Sequence, residues 1–198
     1  RQLLLINSTG MPFLQIMYSR EETDQMGARL WGTEAKGIVA NAPAKRKGAL
    51  WPLLGTPYGI SSNAFLSPLG FPCHQPPWGK LTAVDLKTRK IIWERPLGTT
   101  DGHAPLGLAF PTGVFNIGGT AVTRGGLTFV AGTIDNYLRA FNSETGEELW
   151  RGALPSGGQA GPMSFVSPSS GSQYVVIPAG GHVSMGTVLG DAVVAFKL

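Results

Sequence analysis

The sequence has little of several features that whole classes of protein require. Cys73 is its only cysteine, which excludes an internal disulfide bond and a metal cluster built on thiolates. Its longest apolar runs, such as residues 3–6 and 174–178, are far shorter than the roughly 20 residues of a membrane-spanning helix. Only 14% of the residues are charged, and the one dense basic cluster is at 45–47, so the net charge of +4 gives no reason to expect a nucleic-acid partner.

Motifs of several common enzyme classes are also missing. The three histidines, His74, His103 and His182, are too far apart in the sequence to form a zinc motif such as His-Glu-x-x-His. The Gly-rich segments lack the Gly-Lys-Ser/Thr of a phosphate-binding loop, and no Gly-x-Ser-x-Gly elbow occurs. Metallohydrolases, P-loop enzymes and α/β-hydrolases therefore find no support in this sequence.

What the sequence does contain indicates an all-β fold in one domain. Its 28 Gly and 15 Pro residues exceed average usage, and they separate short runs that are rich in β-branched and aromatic residues. A helical period is hard to find over any window of about a dozen residues. These patterns predict strands at residues 3–7, 13–17, 81–85, 91–95, 120–123, 127–131, 137–142, 148–154, 163–166, 173–177 and 192–196.

A long stretch at about residues 19–78 has scattered Gly, Pro and Lys and no convincing period. We predict that it is an irregular insertion. Loops of this length are uncommon in compact domains unless they serve a function or a partner surface.

An internal repeat is the strongest organisational signal. Residues 83–93 (AVDLKTRKIIW) align without gaps on residues 140–150 (AFNSETGEELW), 57 residues later, and a third copy begins at Ala195. A period of more than about 50 residues built from strands is typical of β-propeller blades. The Asp or Asn of each copy is expected to cap a tight turn, and the Gly of the second copy to provide a positive φ.

The tryptophan that ends each copy of the repeat has a flat surface suited to packing against a neighbouring blade. We therefore predict that Trp93 and Trp150 are both buried between sheets at equivalent positions. Arg89 occupies the place of Gly146 in the first copy, which predicts a strained turn or a turn of another type there.

These eleven-residue units resemble the tryptophan-docking motifs of the quinoprotein dehydrogenases, which bind pyrroloquinoline quinone (PQQ). Four further stretches resemble the membrane-bound glucose, quinate and shikimate branch of that family. They are residues 57–79 (PYGISSNAFLSPLGFPCHQPPWG), 135–141 (DNYLRAF), 157–163 (GGQAGPM) and 179–182 (AGGH). The resemblance implies that the whole chain, 1–198, is the C-terminal portion of a PQQ-dehydrogenase β-propeller domain. It would be a partial propeller of three to four four-stranded antiparallel blades, out of eight.

The resemblance also implies a function. Enzymes of that family oxidise an alcohol carbon of a sugar or polyol with PQQ, helped by Ca or Mg and an aspartate base, and pass the electrons to ubiquinone. We find no segment onto which the family's base or most of its metal ligands can be placed, so we expect no metal site in this chain and no activity of the chain alone. The start at Arg1, without a signal-peptide pattern, leads us to expect a periplasmic piece that is anchored to the inner membrane by other segments.

Two residues carry over from the family as site candidates, and two of their neighbours are candidates with them. His182 matches the histidine near substrate and quinone, and is the catalytic candidate; Asp135 matches an aspartate near the cofactor. Asn136 and Gly181, beside them, are candidates for cofactor binding. Each has a simpler interpretation as well: Asp135-Asn136 is a common turn pair, Gly180-Gly181 can make a bend, and a histidine after two glycines can cap a loop.

A non-catalytic alternative is a propeller scaffold that resembles the outer-membrane assembly lipoproteins, which bind proteins through similar blades. Asp135 and His182 distinguish the two hypotheses, because a scaffold would need neither. Within the family, Val183 follows His182 where glycine is usual, and this β-branched residue argues against glucose itself as the substrate. In either case the remaining blades are expected partners, and open blade edges would favour self-association.

Overall fold

A computed structural model describes residues 2–27 and 49–198. Within these ranges nearly all regular structure is β-strand, as the sequence predicts, and each of the eleven predicted strands is found to within a few residues. Two short 3-10 turns occur at Pro105–Gly107 and Val183–Met185. The strands and the one α-helix in these ranges are β1 Leu3–Thr9, β2 Phe13–Ser19, α1 Arg20–Gln25, β3 Ala49–Pro52, β4 Tyr58–Ala64, β5 Gly79–Asp85, β6 Lys90–Pro96, β7 Thr120–Val122, β8 Leu127–Val130, β9 Tyr137–Asn142, β10 Glu148–Ala153, β11 Met163–Val166, β12 Gln173–Ala179 and β13 Ala192–Lys197.

The strands form four antiparallel sheets, in the orders β1-β5-β6, β10-β9-β8-β7, β11-β12-β13 and β2-β4-β3. One sheet has the predicted four strands, whereas the other three have three strands each in the part of the chain that the structure describes. Consecutive strands joined by tight turns pair with each other, which is the pattern of propeller blades.

The chain divides into two compact units. The larger unit joins the N-terminal strand, up to Gly10, with Gln75–Leu198, and it contains three of the sheets. The smaller unit, Met11–His74, contains the sheet β2-β4-β3 and α1.

The prediction of an irregular insertion at 19–78 is wrong for much of that range, because α1, β3 and β4 lie in it; residues 28–48 are outside the described ranges. Helix α1 was missed because it has only six residues and depends on a capping box between Ser19 and Glu22 rather than on an apolar period. Strand β4 was missed because its sequence, YGISSNA, buries small and polar side chains.

The cores of the larger unit lie between neighbouring sheets. One cluster joins the sheet of β7 to β10 with the sheet of β11 to β13, and its largest buried side chains include Phe129, Leu138 and Ile177. A second cluster joins the sheet of β5 and β6 with that of β8 and β9, through Leu81 and Phe141 among others. Face-to-face burial of this kind stacks one blade on the next.

Trp93 is buried between two sheets, as predicted, with 7% of its surface exposed. Its indole Nε1 donates to the carbonyl oxygen of Ser143 at 3.1 Å, in the turn of the second repeat copy. A Cβ on Gly146 would lie 2.6 Å from the indole, so the ring occupies the space that only glycine leaves open. Trp93 therefore docks on the turn of the next blade.

Trp150 is 38% exposed, so the prediction that both repeat tryptophans are buried is wrong for this one. Its indole packs edge-on against Phe196, with ring centroids 4.9 Å apart. This tryptophan is therefore not enclosed between two sheets in the way that Trp93 is.

The two repeat turns have the expected geometry. Asp85 Oδ1 accepts from the backbone N–H groups of Lys87 and Thr88 at 2.8 and 3.0 Å. Asn142 Oδ1 does the same for the two residues at the equivalent places, at 2.9 and 3.1 Å. Arg89 has a φ of 58°, close to the 71° of Gly146, which confirms that the first turn is strained at this residue.

Candidate functional site

The four site candidates lie on loops at one end of the sheets in the larger unit. Because strands alternate in direction, the connections 97–119, 131–136, 154–162 and 180–191 all leave the sheets at the same end, which we call the loop end. Backbone hydrogen bonds join these connections: Ile117 N to Gly132 O at 3.1 Å, Leu154 N to Asn136 O at 2.8 Å, and Gly181 N to Gly157 O at 2.8 Å. Residues that are 47 positions apart in the sequence, Asp135 and His182, thus share one end of the structure.

Asp135 is buried, and both of its carboxylate oxygens are occupied by donors from this chain. Oδ2 accepts from the N–H and the hydroxyl of Thr99 at 2.7 and 3.0 Å, and Oδ1 accepts from the Thr133 hydroxyl at 2.5 Å. The guanidinium of Arg139, itself almost fully enclosed, donates to both oxygens, with Nη1 3.1 Å from Oδ1. Asp135 therefore ties the connection after β6 to the start of β9.

The electrostatics of Asp135 follow from these contacts. Burial on its own raises the pKa of the carboxyl group, because the charged form loses its hydration. The hydrogen bonds and positive charge of Arg139, with those of Thr133 and Thr99, outweigh that effect and hold the pKa of Asp135 below its ordinary value. The residue is therefore a carboxylate at neutral pH.

Tyr137 extends the network around Asp135 toward the surface. Its hydroxyl donates to Asp101 Oδ2 at 3.0 Å, and this hydrogen bond raises the pKa of the phenol. The guanidinium carbons of Arg139 and Arg151 lie 5.3 and 5.9 Å from the centre of its ring. A second part of the connection after β6 is thereby fastened to β9.

Asn136 adopts a left-handed conformation with a φ of 57°. Its side-chain Oδ1 is buried without a hydrogen-bond partner. Asparagine tolerates this backbone conformation better than most residues, which accounts for its place in the turn.

Position 181 requires glycine, because its φ is 72° and a Cβ there would lie 2.1 Å from the carbonyl oxygen of Val188. The space beside it is filled by the chain, so this glycine forms a bend. By contrast, Gly118, Gly119, Gly161 and Gly180 are exposed, and an added Cβ on Gly119 or Gly161 would meet nothing closer than 3.8 Å. These residues give the loop end a surface without side chains.

His182 is half-buried, and its backbone N–H donates to the hydroxyl of Thr187 at 2.8 Å. The ring nitrogen Nδ1 is enclosed and has no hydrogen-bond partner. Because buried N–H groups without an acceptor are rare, the ring proton is best placed on Nε2. The imidazole can then offer an Nε2–H donor to an oxygen of a ligand.

Comparison with known proteins identifies the family of this chain. The family model "PQQ: Glucose/ethanol/alcohol dehydrogenase, beta-propeller domain" matches residues 1–175. The chain belongs to this family. This family is one of dehydrogenase β-propellers, and membership of it favours the enzyme hypothesis over the protein-binding scaffold.

Three curated relatives show how far the similarity extends. A probable quinate dehydrogenase (quinone) of Xanthomonas campestris pv. juglandis is 53% identical over 74% of this chain and 19% of its own length. Quinoprotein glucose dehydrogenase A of Acinetobacter calcoaceticus is 42% identical over 100% of this chain and 23% of its own length. A quinate/shikimate dehydrogenase (quinone) of Acinetobacter baylyi is 49% identical over 74% of this chain and 18% of its own length. The chain therefore spans about a fifth of the length of these relatives.

The residues of the loop end fit a planar quinone cofactor as one part of its surroundings. The exposed glycines permit close approach of a flat ring system to the backbone, and His182, two residues after Gly180, provides a hydrogen-bond donor at the same end of the sheets. Asp135 has no free acceptor for the same ligand, because the chain's own donors use both oxygens.

Metal-binding groups and membrane helices were sought in residues 2–27 and 49–198. No three His, Cys, Asp or Glu side chains gather there in a way that would hold an ion. None of the helices in that part of the chain combines the length and apolar character needed to cross a bilayer.

Sequence reasoning missed several residues of the site. Arg139 and Thr133 could have been found, because a cation and a hydroxyl within four residues of Asp135 in the sequence are natural partners for its carboxylate. Thr99, Gln159 and Thr187 carry no such signal, since loop contacts between distant segments bring them together.

Proposed function

We propose that this chain forms part of the PQQ site of a quinone-dependent dehydrogenase that oxidises an alcohol group of a sugar or polyol. The enzyme would act in the periplasm, anchored to the inner membrane, and pass its electrons to ubiquinone. The observation that carries the proposal is that His182 and the exposed glycine surface both lie at the loop end of a chain from the PQQ β-propeller family.

His182 has the most direct role in this proposal. When bound, PQQ supplies an electrophilic quinone that takes up the electrons of the alcohol carbon. The Nε2–H of His182 would donate a hydrogen bond to the reacting oxygen, by which we mean the oxygen atom at the reaction centre on which negative charge develops. The hydrogen bond would therefore act mainly in the transition state. The glycine surface would let the ring system lie against the backbone.

Asp135, Asn136 and Gly181 act on the site indirectly, by holding its loops in place. The Asp135 carboxylate holds the connection after β6 against the start of β9, so its effect on the cofactor passes through the positions of these loops. Asp135→Ala should therefore loosen PQQ binding. Asn136 and Gly181 keep the two loop bends in their left-handed conformations.

The chain alone should be inactive. The resemblance to the family supplies no segment for the catalytic aspartate base or for most ligands of Ca or Mg, and catalysis requires cofactor, metal and base to be held together. The other blades of the protein would supply these groups. Appreciable PQQ-dependent activity of the isolated chain would contradict this part of the proposal.

The experiment that tests the function is a dye-linked dehydrogenase assay of the protein at its natural length, with and without added PQQ. The substrate panel contains quinate, shikimate, glycerol and glucose. Activity that depends on PQQ with at least one of them supports the proposal, and no PQQ-dependent activity with any of them contradicts it.

The same assay examines substrate choice. Val183 is exposed directly after His182, so we expect a lower kcat/KM for glucose than for quinate or glycerol. Val183→Gly is the matched variant, and it should raise kcat/KM for glucose relative to the others. An unchanged ratio would remove Val183 from substrate selection.

A further inference from the structure

Thr187 is buried at the loop end and makes contacts in two directions. Its hydroxyl oxygen accepts from the backbone N–H of His182 at 2.8 Å. The same oxygen lies 3.3 Å from Gln159 Oε1 and 3.5 Å from the carbonyl oxygen of His182. A hydroxyl has one proton and can accept as well as donate, so the contact to His182 N–H leaves its proton for the Gln159 amide oxygen.

The segment 182–187 has few other means of holding His182 in place. It is a single 3-10 turn in which Met185 N donates to His182 O at 3.1 Å, closed by Gly186 in a left-handed conformation. No strand ladder includes His182, and its ring nitrogen Nδ1 has no partner. The position of the imidazole therefore depends on the backbone of this turn, and the Thr187 hydroxyl is the side-chain group that fixes it.

Gln159 connects the turn to the loop that follows β10. A Cβ on Gly157 would lie 2.3 Å from Gln159 Oε1 and 2.5 Å from Thr187 Oγ1, so both polar atoms pack directly on a glycine. The backbone of Gly157 also bonds to both ends of the other loop, through Gly181 N at 2.8 Å and Val188 O at 3.2 Å. The two loops are thus joined around one hydroxyl group.

We propose that Thr187 is a positioning residue for His182 and that Gln159 completes the contact from the loop that follows β10. The inference deepens the proposed function and rests on it for its catalytic part. Loss of the hydroxyl would leave the His182 N–H without an acceptor and free the turn, which would displace the Nε2–H donor from the reacting oxygen.

The test compares Thr187→Val, which has the same shape but no hydroxyl, with Thr187→Ser, which keeps the hydroxyl, in the protein at its natural length. Thr128→Val is the control for loss of a buried threonine hydroxyl, because Thr128 bonds to Ser143 at 2.7 Å near the opposite end of its strand. Hydrogen exchange of the segment 180–190 measures the contact without reference to activity.

We expect Thr187→Val to speed exchange of the His182 amide by about tenfold, and Thr187→Ser and Thr128→Val to leave it close to wild type. Gln159→Leu should shift exchange in the same direction as Thr187→Val. In the assay, Thr187→Val should lower kcat by about tenfold or more with little change in the affinity for PQQ, and serine should restore most of the rate.

Two results would overturn the inference. Wild-type exchange at His182 in Thr187→Val would show that the hydroxyl does not hold the turn. Faster exchange with an unchanged kcat in an active enzyme would show that His182 does not need the positioning. If the wild-type protein instead lacks PQQ-dependent activity, the proposed function fails, while the exchange experiment still decides whether Thr187 fixes His182.

Discussion

At the scale of single residues, the Asp135 and Arg139 pair is the group on which the loop end depends most. Both side chains are enclosed, and loss of the Asp135 charge would leave Arg139 with only the partly exposed carboxylate of Glu148, 3.5 Å from its Nε, to balance its charge in a poorly hydrated site. Asp135→Asn should therefore lower the free energy of unfolding by about 3–5 kcal/mol in urea denaturation.

The matched variant is Arg139→Met in the Asp135→Asn background. Because the two charges act as one unit, the second change should cost much less than it does in wild type. Additive losses in the double-mutant cycle would contradict a coupled pair.

The acid response of the protein tests the same pair. The folded-state pKa of Asp135 lies below its ordinary value of about 3.9, so its contribution to stability is complete above that value and is lost as the pH falls through the folded-state pKa. The difference in unfolding free energy between wild type and Asp135→Asn should therefore be constant from about pH 5 to 7 and shrink below about pH 4. A difference that stays constant down to the lowest pH at which both fold would contradict this assignment.

At the scale of strands and turns, the two repeat tryptophans should differ in their contribution to stability. Trp93 is enclosed by the turn of the next repeat copy, whereas Trp150 is 38% exposed and packs edge-on against Phe196. Trp93→Ala should cost about 3–5 kcal/mol, and Trp150→Ala well under half of that, in denaturant titrations of the same chain. Equal losses would mean that both tryptophans are docked in solution.

The turns of the two repeat copies give a second matched comparison. Gly146→Ala would place a Cβ 2.6 Å from the Trp93 ring at a positive φ, so it should destabilise by about 1–3 kcal/mol. Arg89→Gly relieves the strain of an exposed residue at a positive φ, so it should be neutral or stabilise by up to about 1 kcal/mol. The reverse order of thermal stabilities would refute the docking geometry.

The strands could be predicted largely because apolar alternation and turn residues are local properties of the chain. The repeat at 83–93 and 140–150 even predicted which side chains cap the turns and where a residue is strained. The exposure of Trp150 could not be predicted, because burial depends on a partner turn and not on the tryptophan itself. Strand β4 was not predicted, because its buried face consists of small and polar residues.

The site could be predicted only in part, for a similar reason. Asp135 and His182 were found through their motifs, and the structure brings both to the loop end. Their surroundings were not predictable: the donors of Asp135 come from residues as far as 36 positions away, and the anchor of His182 lies across a non-repetitive turn. Contacts of this kind are set by how the loops meet, and no local pattern encodes them.

At the scale of the whole molecule, we propose that the loop end of these sheets forms one side of a PQQ site. Membership of the PQQ β-propeller family and similarity to quinate and glucose dehydrogenases support this, although the chain spans only about a fifth of those relatives. The exposed glycines and the Nε2–H of His182 are the groups that would face the cofactor and the reacting oxygen.

The most direct test measures kcat and the dissociation constant for PQQ in the His182→Ala variant and the wild type, with the protein at its natural length and quinate or another accepted substrate. A donor to the reacting oxygen acts mainly in the transition state, so kcat should fall by about a hundredfold or more, while the dissociation constant for PQQ should change by no more than about threefold. A wild-type kcat in His182→Ala would contradict the account and remove the loop end from the reaction.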